Sequence, residues 1–509
     1  MIRSSDDKMQ AARLGIILLL SVTLRAETLP SGSNLELRLV RPVGSRISHV
    51  GDSIEAQVIA PVTRNGEALV PAGATITGRV QSVGRLGLGL KRARATIQLD
   101  FDSLHLPEGP SLPVHTRLAT VEAAKEKVDT AGVVGGIRPA ANLSATASYY
   151  VLPVLWLDPE FGIPFLALKC LIARSPDSEI YFPAGTEFFL QLLDPVELPA
   201  SRRISNGVDF QALSSSDLDT ARALLGRLPT QQADHGPDHP SDLLNILFLA
   251  TSEQLNRAFR AAGWSGAQAR SLLTIYRMYH CMVQRSAYSD APMGQLKLNG
   301  LKADADYQKS LNTFSKRHHL RLWHQPESDA WFSAATEDIS YRFHRGRLTH
   351  ASDPHIDNER TKVLNDLAFT GCLESAALIS RDWVVKPDPD SAEIHTDGKV
   401  AVLRLNDCLH PRQMAEPTSD HQRQQRRSLQ VLNAIRTDLI RSNPVSLAFN
   451  TKRMVKGTPT NGLNTFRVRR APADQPTVTA RSAPAEQDHD PHRWIRSSVL
   501  DISSDGRNQ

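Results

Sequence analysis

Cysteine is scarce in this chain: four among 509 residues, at Cys170, Cys281, Cys372 and Cys408. No two form a Cys-x-x-Cys pair, which excludes a zinc ribbon and a thioredoxin-type redox site. Spacing chooses no pairing. Buried free thiols are the plainer expectation, with one or two bridges the alternative in an oxidising compartment. Aromatic residues are also few, at 6%. The chain has no Gly-x-Ser-x-Gly elbow, no P-loop and no His-Glu-x-x-His pair, so three common catalytic frameworks are missing. No apolar run reaches the roughly 20 residues that a straight transmembrane helix requires.

What is present is an ordinary globular composition, 41% hydrophobic and 22% charged. That length and composition predict two or three domains with a sizeable core. The net charge of +5 is local. Residues Pro411–Gln509 hold 16 Lys+Arg against 9 Asp+Glu, a net of +7, and the other residues hold 43 against 45, a net of −2. The folded part is close to neutral and the tail is basic.

Residues 1–28 have the pattern of an export signal. Arg3, Lys8 and Arg13 precede the 11-residue apolar run Leu14–Leu24, and Ala26 offers a cleavage position. Residues 35–198 read as β. Leu37, Leu39, Ile97, Leu99 and Phe101 alternate with polar neighbours, and Asn65-Gly66, Pro71-Ala72-Gly73 and Pro107-Glu108-Gly109 are closely spaced turn signals. A sandwich or barrel is expected. The Pro-Ala-Gly turn recurs at Pro183-Ala184-Gly185. With these features the stretch resembles the outer-membrane-core β-domain of conjugation and type IV secretion proteins. The apolar insertion at 131–173 stands where that family carries a membrane-reaching helical hairpin. Pro153, Pro159 and Pro164 argue instead for a buried hairpin or loop.

Residues 199–240 read as a linker holding one short helix over Asp217–Leu228. Residues 241–409 then mix strands and helices. Leu243–Ala250 is an apolar run suited to a central strand. Thr251 or Ser252 caps a helix that Gly263 ends, and Ala267–Gln284 reads as a second. Ile356–Thr370 is helical by spacing and stopped by Gly371, and Val400–Leu405 is a late strand. An α+β sandwich with helices on one side of a sheet is expected. Residues 410–509 are polar and basic, with one candidate helix at Ser428–Arg441, and read as a mostly disordered tail.

The densest chemistry lies between Ser315 and Arg360. It opens Lys316-Arg317-His318-His319-Leu320-Arg321-Leu322-Trp323 and closes His350-Ala351-Ser352-Asp353-Pro354-His355-Ile356-Asp357-Asn358-Glu359-Arg360. The Arg-His-His-x-Arg run, Trp323, Ala335–Ile339, the run from His350 and the upstream Ala-Ala-Gly-Trp ending at Trp264 together resemble the LssY C-terminal domain family over about 241–409. The resemblance brings no settled activity.

On a strand, alternation places His319, Arg321 and Trp323 on one face and His318, Leu320 and Leu322 on the other. His318 is expected to be a core histidine bonded to backbone, and His319 with Arg321 the better anion-binding pair. Asp357 and Glu359 fall in the first turn of a helix, where carboxylates stabilise by about 0.3–1 kcal/mol. The candidate ligand-binding set is His319, Arg321, His350, Asp353, His355 and Asp357. No cofactor is implied, and a divalent metal is the weaker alternative, since no helical His-x-x-x-His pair is present.

The expectation is therefore an exported envelope protein, periplasmic or associated with the outer membrane, with a binding or assembly role and envelope proteins as partners. The alternative is an exported phosphoester hydrolase with one His as general base and Arg321 holding an anion. The basic tail, poor in aromatics, fits an anionic lipid or envelope polymer better than nucleic acid.

Overall fold

A computed structural model describes residues 27–412, with breaks at 65–66, 88–93, 108, 110, 138–159, 161–177, 199–209, 228–230, 234–239, 295, 311–312, 326–327, 345–346 and 382–393. The expected export signal up to residue 26, nearly all of the apolar insertion, Cys170 and the basic tail beyond residue 412 lie outside the described residues, while Glu27–Leu29 forms a short strand paired with Val196–Leu198.

The first module is a nine-stranded antiparallel sheet. Its strands are β1 Asn34–Leu39, β2 Ser53–Val58, β3 Thr75–Gly84, β4 Thr96–His105, β5 Ser111–Pro113, β6 Thr116–Val121, β7 Lys127–Val128, β8 Val133–Gly135 and β9 Glu187–Leu192. They run β6-β9-β1-β2-β3-β4-β8-β7, with β5 on β4. The sheet curls almost into a barrel. The Val114 N–H donates to Asp102 O at 3.0 Å and Thr116 Oγ1 to Phe101 O at 2.8 Å, tying the start of β6 back to β4.

The alternating apolar positions fill the interior: Leu35, Leu37, Leu39, Ile54, Ile76, Ile97, Phe101 and Leu190 are all buried there. The two Pro-Ala-Gly turns are built alike. Gly73 and Gly185 sit at φ +91° and +87°, which only glycine adopts without strain, and each N–H closes onto a strand carbonyl, Val58 O and Leu39 O, both at 2.8 Å. The start of the expected insertion belongs to this sheet, since Val133–Gly135 pairs with β4.

The second module has a mixed sheet. Its elements are β10 Gln211–Ala212, α1 Ser215–Arg227, β11 Ile246–Leu249, α2 Ser252–Ala261, β12 Ser265–Gly266, α3 Leu272–Gln284, β13 Ala305–Lys309, β14 Arg317–Gln325, β15 Ala330–His344, β16 Arg347–Ser352, α4 Ile356–Thr370, β17 Leu373–Ser380 and β18 Lys399–Leu405. The order is β10-β17-β18-β11-β15-β14-β13-β12, with β16 on β15. The central strand β11 is parallel to β18 and antiparallel to β15. It is buried on both faces, as its unbroken apolar run requires.

Helix α2 begins with a capping box between Thr251 and Gln254, and Gly371 ends α4 at φ +77°. Helix α3 starts at Leu272, capped by Ser271, not at Ala267. The residues before it are drawn into the pairing of β12 with β13. Residues 317–344 form two long paired strands, β14 and β15.

Helices cover both faces of this sheet. Leu255, Phe259, Val363, Leu364 and Leu367 of α2 and α4 pack on the face carrying Phe248, Leu320 and Leu403. On the opposite face Ala221 and Leu225 of α1 meet Leu247, Phe332 and Val402. The expectation of helices on one side is thus corrected by α1. This helix falls within the stretch expected as linker, yet it shares the core of the second module. A Cys372–Cys408 disulfide, bridging 36 positions, ties the end of α4 to the segment after β18. The expectation of buried free thiols fails for this pair, and Cys281 is free but only half-buried.

The modules share a core. Ile59 and Ala72 of the first pack among α2 and α4 residues of the second.

Candidate functional site

The expected residues are placed by the β14–β15 pairing and by the start of α4. His318 stands opposite Glu337 and His319 opposite Thr336. His319 Nε2 lies 2.9 Å from Thr336 Oγ1, and its Nδ1 lies 3.6 Å from Asp338 Oδ2. His350 Nδ1 approaches the same oxygen at 3.2 Å, and Arg317 Nε donates to it at 2.9 Å. Asp338 thus gathers both histidines and one guanidinium. Burial drives the His319 ring down to about 3, against the pull of Asp338, so at neutral pH it is uncharged.

Arg321 shares the His319 face, but its guanidinium is bound within the fold. Nη1 donates to Asp242 Oδ2 at 3.2 Å and Nε to Gly294 O at 3.3 Å. The other three candidates organise the entry to α4. Asp353 Oδ1 accepts from the His355 N–H at 3.0 Å, and the His355 ring stacks on His395 at 4.7 Å. Asp357 accepts from Thr396 Oγ1 at 3.0 Å and pairs with Arg360 at 3.2 Å. Of the six, His319 and His350 share a partner. Asp353, His355 and Asp357 serve a turn and a helix start.

Two groups of buried charge went unforeseen. The first lies in the seam between the modules. Glu36 and Arg38 of β1 and Glu187 of β9 face Lys309 of β13 and Lys362 and Asp366 of α4. Arg38 Nη2 donates to Glu187 Oε1 at 2.6 Å and Asp366 Oδ1 at 3.1 Å. Lys309 Nζ reaches Glu187 and Asp366, each at 2.9 Å. Lys362 Nζ reaches the same two carboxylates at 2.7 Å, and Trp264 Nε1 donates to Asp366 Oδ2 at 3.0 Å.

All six ionisable groups are buried. Burial alone would push Asp366 up, but Lys309 and Lys362 outweigh it and hold the carboxyl at about 2. Glu36 is less compensated. Burial raises it to about 7, against the pull of Lys362 and with Glu187 and Asp366 adding to the rise. The sequence did carry a signal: Lys362 and Asp366 are four apart on one side of α4, and Glu187 opens an otherwise largely apolar strand.

The second group surrounds His318. Its Nδ1 lies 2.7 Å from Glu359 Oε2, and its Nε2 lies 3.6 Å from Glu122 Oε1 of the first module. The expected backbone partner is replaced by carboxylates. Burial lowers the ring's basicity, but Glu359 and Glu122 outweigh it and raise the ring to about 10. Glu337, opposite on β15, is pushed well above the usual carboxylate range by burial and then by Glu122.

Residues 225–400 match the family described as "LssY C-terminus". The match covers most of the second module's sheet, α4 and the six candidate residues His319, Arg321, His350, Asp353, His355 and Asp357. It lies within the second module, and the first is outside it. Among solved structures, the chain is similar to ComB10 of the Com Type IV secretion system of Helicobacter pylori, at 12% identity and a TM-score of 0.20, over 35% of this chain and 93% of that one. A likeness at that level bears on neither fold nor role. No curated protein matches the chain.

Proposed function

We propose that this is an exported cell-envelope protein with a binding or assembly role, secretion-associated through its LssY-like module. The observation that carries the reading is the buried ionic seam. Three ionisable groups from each module neutralise one another and fix the two modules as one unit, so this charge serves mutual placement rather than a substrate. Compartment has separate support. The Cys372–Cys408 bridge belongs to an oxidising environment, and the apolar run near the N-terminus has the length of an export signal. Among the described residues no helix is long and apolar enough to cross a membrane. Partners are envelope proteins, and the basic tail suits an anionic lipid or polymer.

Fractionation of cells expressing the tagged chain, with crosslinking in place, tests the reading. The expected result is an envelope fraction, loss of the first residues or their retention as an anchor, and discrete crosslinked species. A wholly cytosolic chain with its N-terminus intact overturns it.

A second reading rests on the approach of His350 and His319 to one buried carboxylate. An Asp that orients a partly exposed imidazole is an arrangement used for general-base catalysis. Under this reading the chain hydrolyses phosphoesters, and His350→Ala abolishes the turnover. Absence of turnover by the purified, folded chain on a phosphoester panel sinks it.

A further inference from the structure

The cluster around His318 differs from the seam beside it. The seam sets three cations against three carboxylates. Here one imidazole faces three carboxylates, Glu122, Glu337 and Glu359, and none of the three pairs with Lys or Arg among the described residues. All four side chains are nine-tenths or more buried. Carboxylates packed this way cannot all ionise without a compensating cation.

One ligand atom each from His318, Glu337 and Glu359 lies within 4.8 Å of the others, close enough for a small rotamer adjustment to bring all three onto one ion. Glu359 leaves Oε1 without a hydrogen-bond partner, and so does His318 at Nε2. Both atoms are deeply buried, where an unsatisfied polar group costs about 1–3 kcal/mol and calls for a reason.

The three residues come from three different elements. His318 and Glu337 are register partners on β14 and β15, and Glu359 descends from the first turns of α4. Glu122 comes from the loop after β6, in the other module. His318 presents Nδ1 to Glu359 and turns Nε2 toward Glu122. A ring that ligates through one nitrogen while a carboxylate faces the other is the arrangement in which an outer carboxylate fixes the tautomer and orientation of a metal-binding histidine.

We propose that His318, Glu337 and Glu359 bind one divalent transition-metal ion, with Glu122 of the first module orienting His318. One imidazole nitrogen with carboxylate oxygens suits Zn2+ or Mn2+. The ion's two charges balance the two ligating carboxylates. The ion also joins the modules, because the group that orients its histidine belongs to the opposite one. The site is structural: it is enclosed, and its ligands lie at the contact of the two modules. It stands on this geometry whether or not the chain is exported.

The experiment uses the full chain, stripped with a chelator and dialysed against Zn2+ or Mn2+ alone, with the ion counted by mass spectrometry. One tightly held ion per chain is expected, together with a higher unfolding midpoint than the stripped chain. Glu337→Gln combined with Glu359→Gln is expected to lose that ion. Glu122→Gln is expected to keep it with affinity reduced roughly 10–100-fold.

The double variant retains the tail's His421, His489 and His492, so any uptake by the tail persists in it. Equal uptake by the double variant and the unaltered chain assigns the ion to other residues and overturns the proposal. Should the double variant not fold, the unaltered chain decides. Failure to take up one ion, or an unfolding midpoint unmoved by Zn2+ and Mn2+, overturns the proposal equally.

Discussion

Arg38 and Asp366 meet at 3.1 Å across the seam, although 328 positions of sequence separate them. The contact joins a strand of the first module to the central helix of the second. It is one bond of a network in which Glu187 and Asp366 each serve two lysines and this arginine. A buried network of this kind stabilises only while it is complete, because each ion has given up its water.

Asp366→Ala removes the partner of Arg38, Lys309 and Lys362 together. It is expected to cost about 3–5 kcal/mol, the range for stranding buried charge. Urea denaturation measures it. In a cycle with Arg38→Ala, the double variant should fall short of the summed losses by about 0.5–3 kcal/mol, because the two sites share partners. Strict additivity, or a loss for Asp366→Ala under 1 kcal/mol, contradicts the seam described here.

Glu36 gives the seam a pH dependence. Its folded value of about 7 lies above the ordinary 4.5. Between those two values the folded chain holds a proton that the unfolded chain has released. Stability from this group is therefore present below about pH 4.5 and lost as pH rises to about 7. Glu36→Gln should flatten that decline. Unfolding free energies at pH 5 and pH 7.5 decide the matter, and an unchanged slope in the variant rules Glu36 out as its source.

Reduction of the Cys372–Cys408 bridge, or Cys372→Ser with Cys408→Ser, should lower stability by about 2–4 kcal/mol. Half-buried Cys281 should react with a thiol reagent in the native chain while the bridged pair does not. Mass mapping after alkylation checks both points. Alkylation of Cys372 or Cys408 without prior reduction refutes the bridge.

Thr251→Ala should cost about 1 kcal/mol, since it removes the side-chain acceptor from the Gln254 N–H at the start of α2. Thr251→Asn, which caps as well, should recover most of it. Thermal unfolding of the two variants is the comparison. Equal losses for Ala and Asn place the effect outside the cap.

The local elements were legible because their causes are local. A helix start at Thr251 or Ser252 (the structure chose Thr251 as the cap), the apolar run of β11 and the glycine stop at Gly371 each need only neighbouring residues. So did the opposite facings of His318 and His319, which follow from strand alternation. The residues that mattered around them were harder to read. A place in the first turn of a helix is by itself sufficient reason for a carboxylate at Glu359, so nothing local points to its contact with His318. Glu122, Glu187 and Arg38 lie more than a hundred positions from their partners in the second module.

The sequence alone determined which segments are strands and helices, which face of each is apolar, the resemblance of the second module and the uneven distribution of charge. Those follow from period, propensity and composition, which act over a few residues at a time. Only the tertiary structure decided that the modules share a buried ionic seam, that Cys372 pairs with Cys408, and that Glu122 is brought against His318. Proximity across a packed interface depends on how whole elements dock, and a charge becomes costly or useful only once that docking has removed its water.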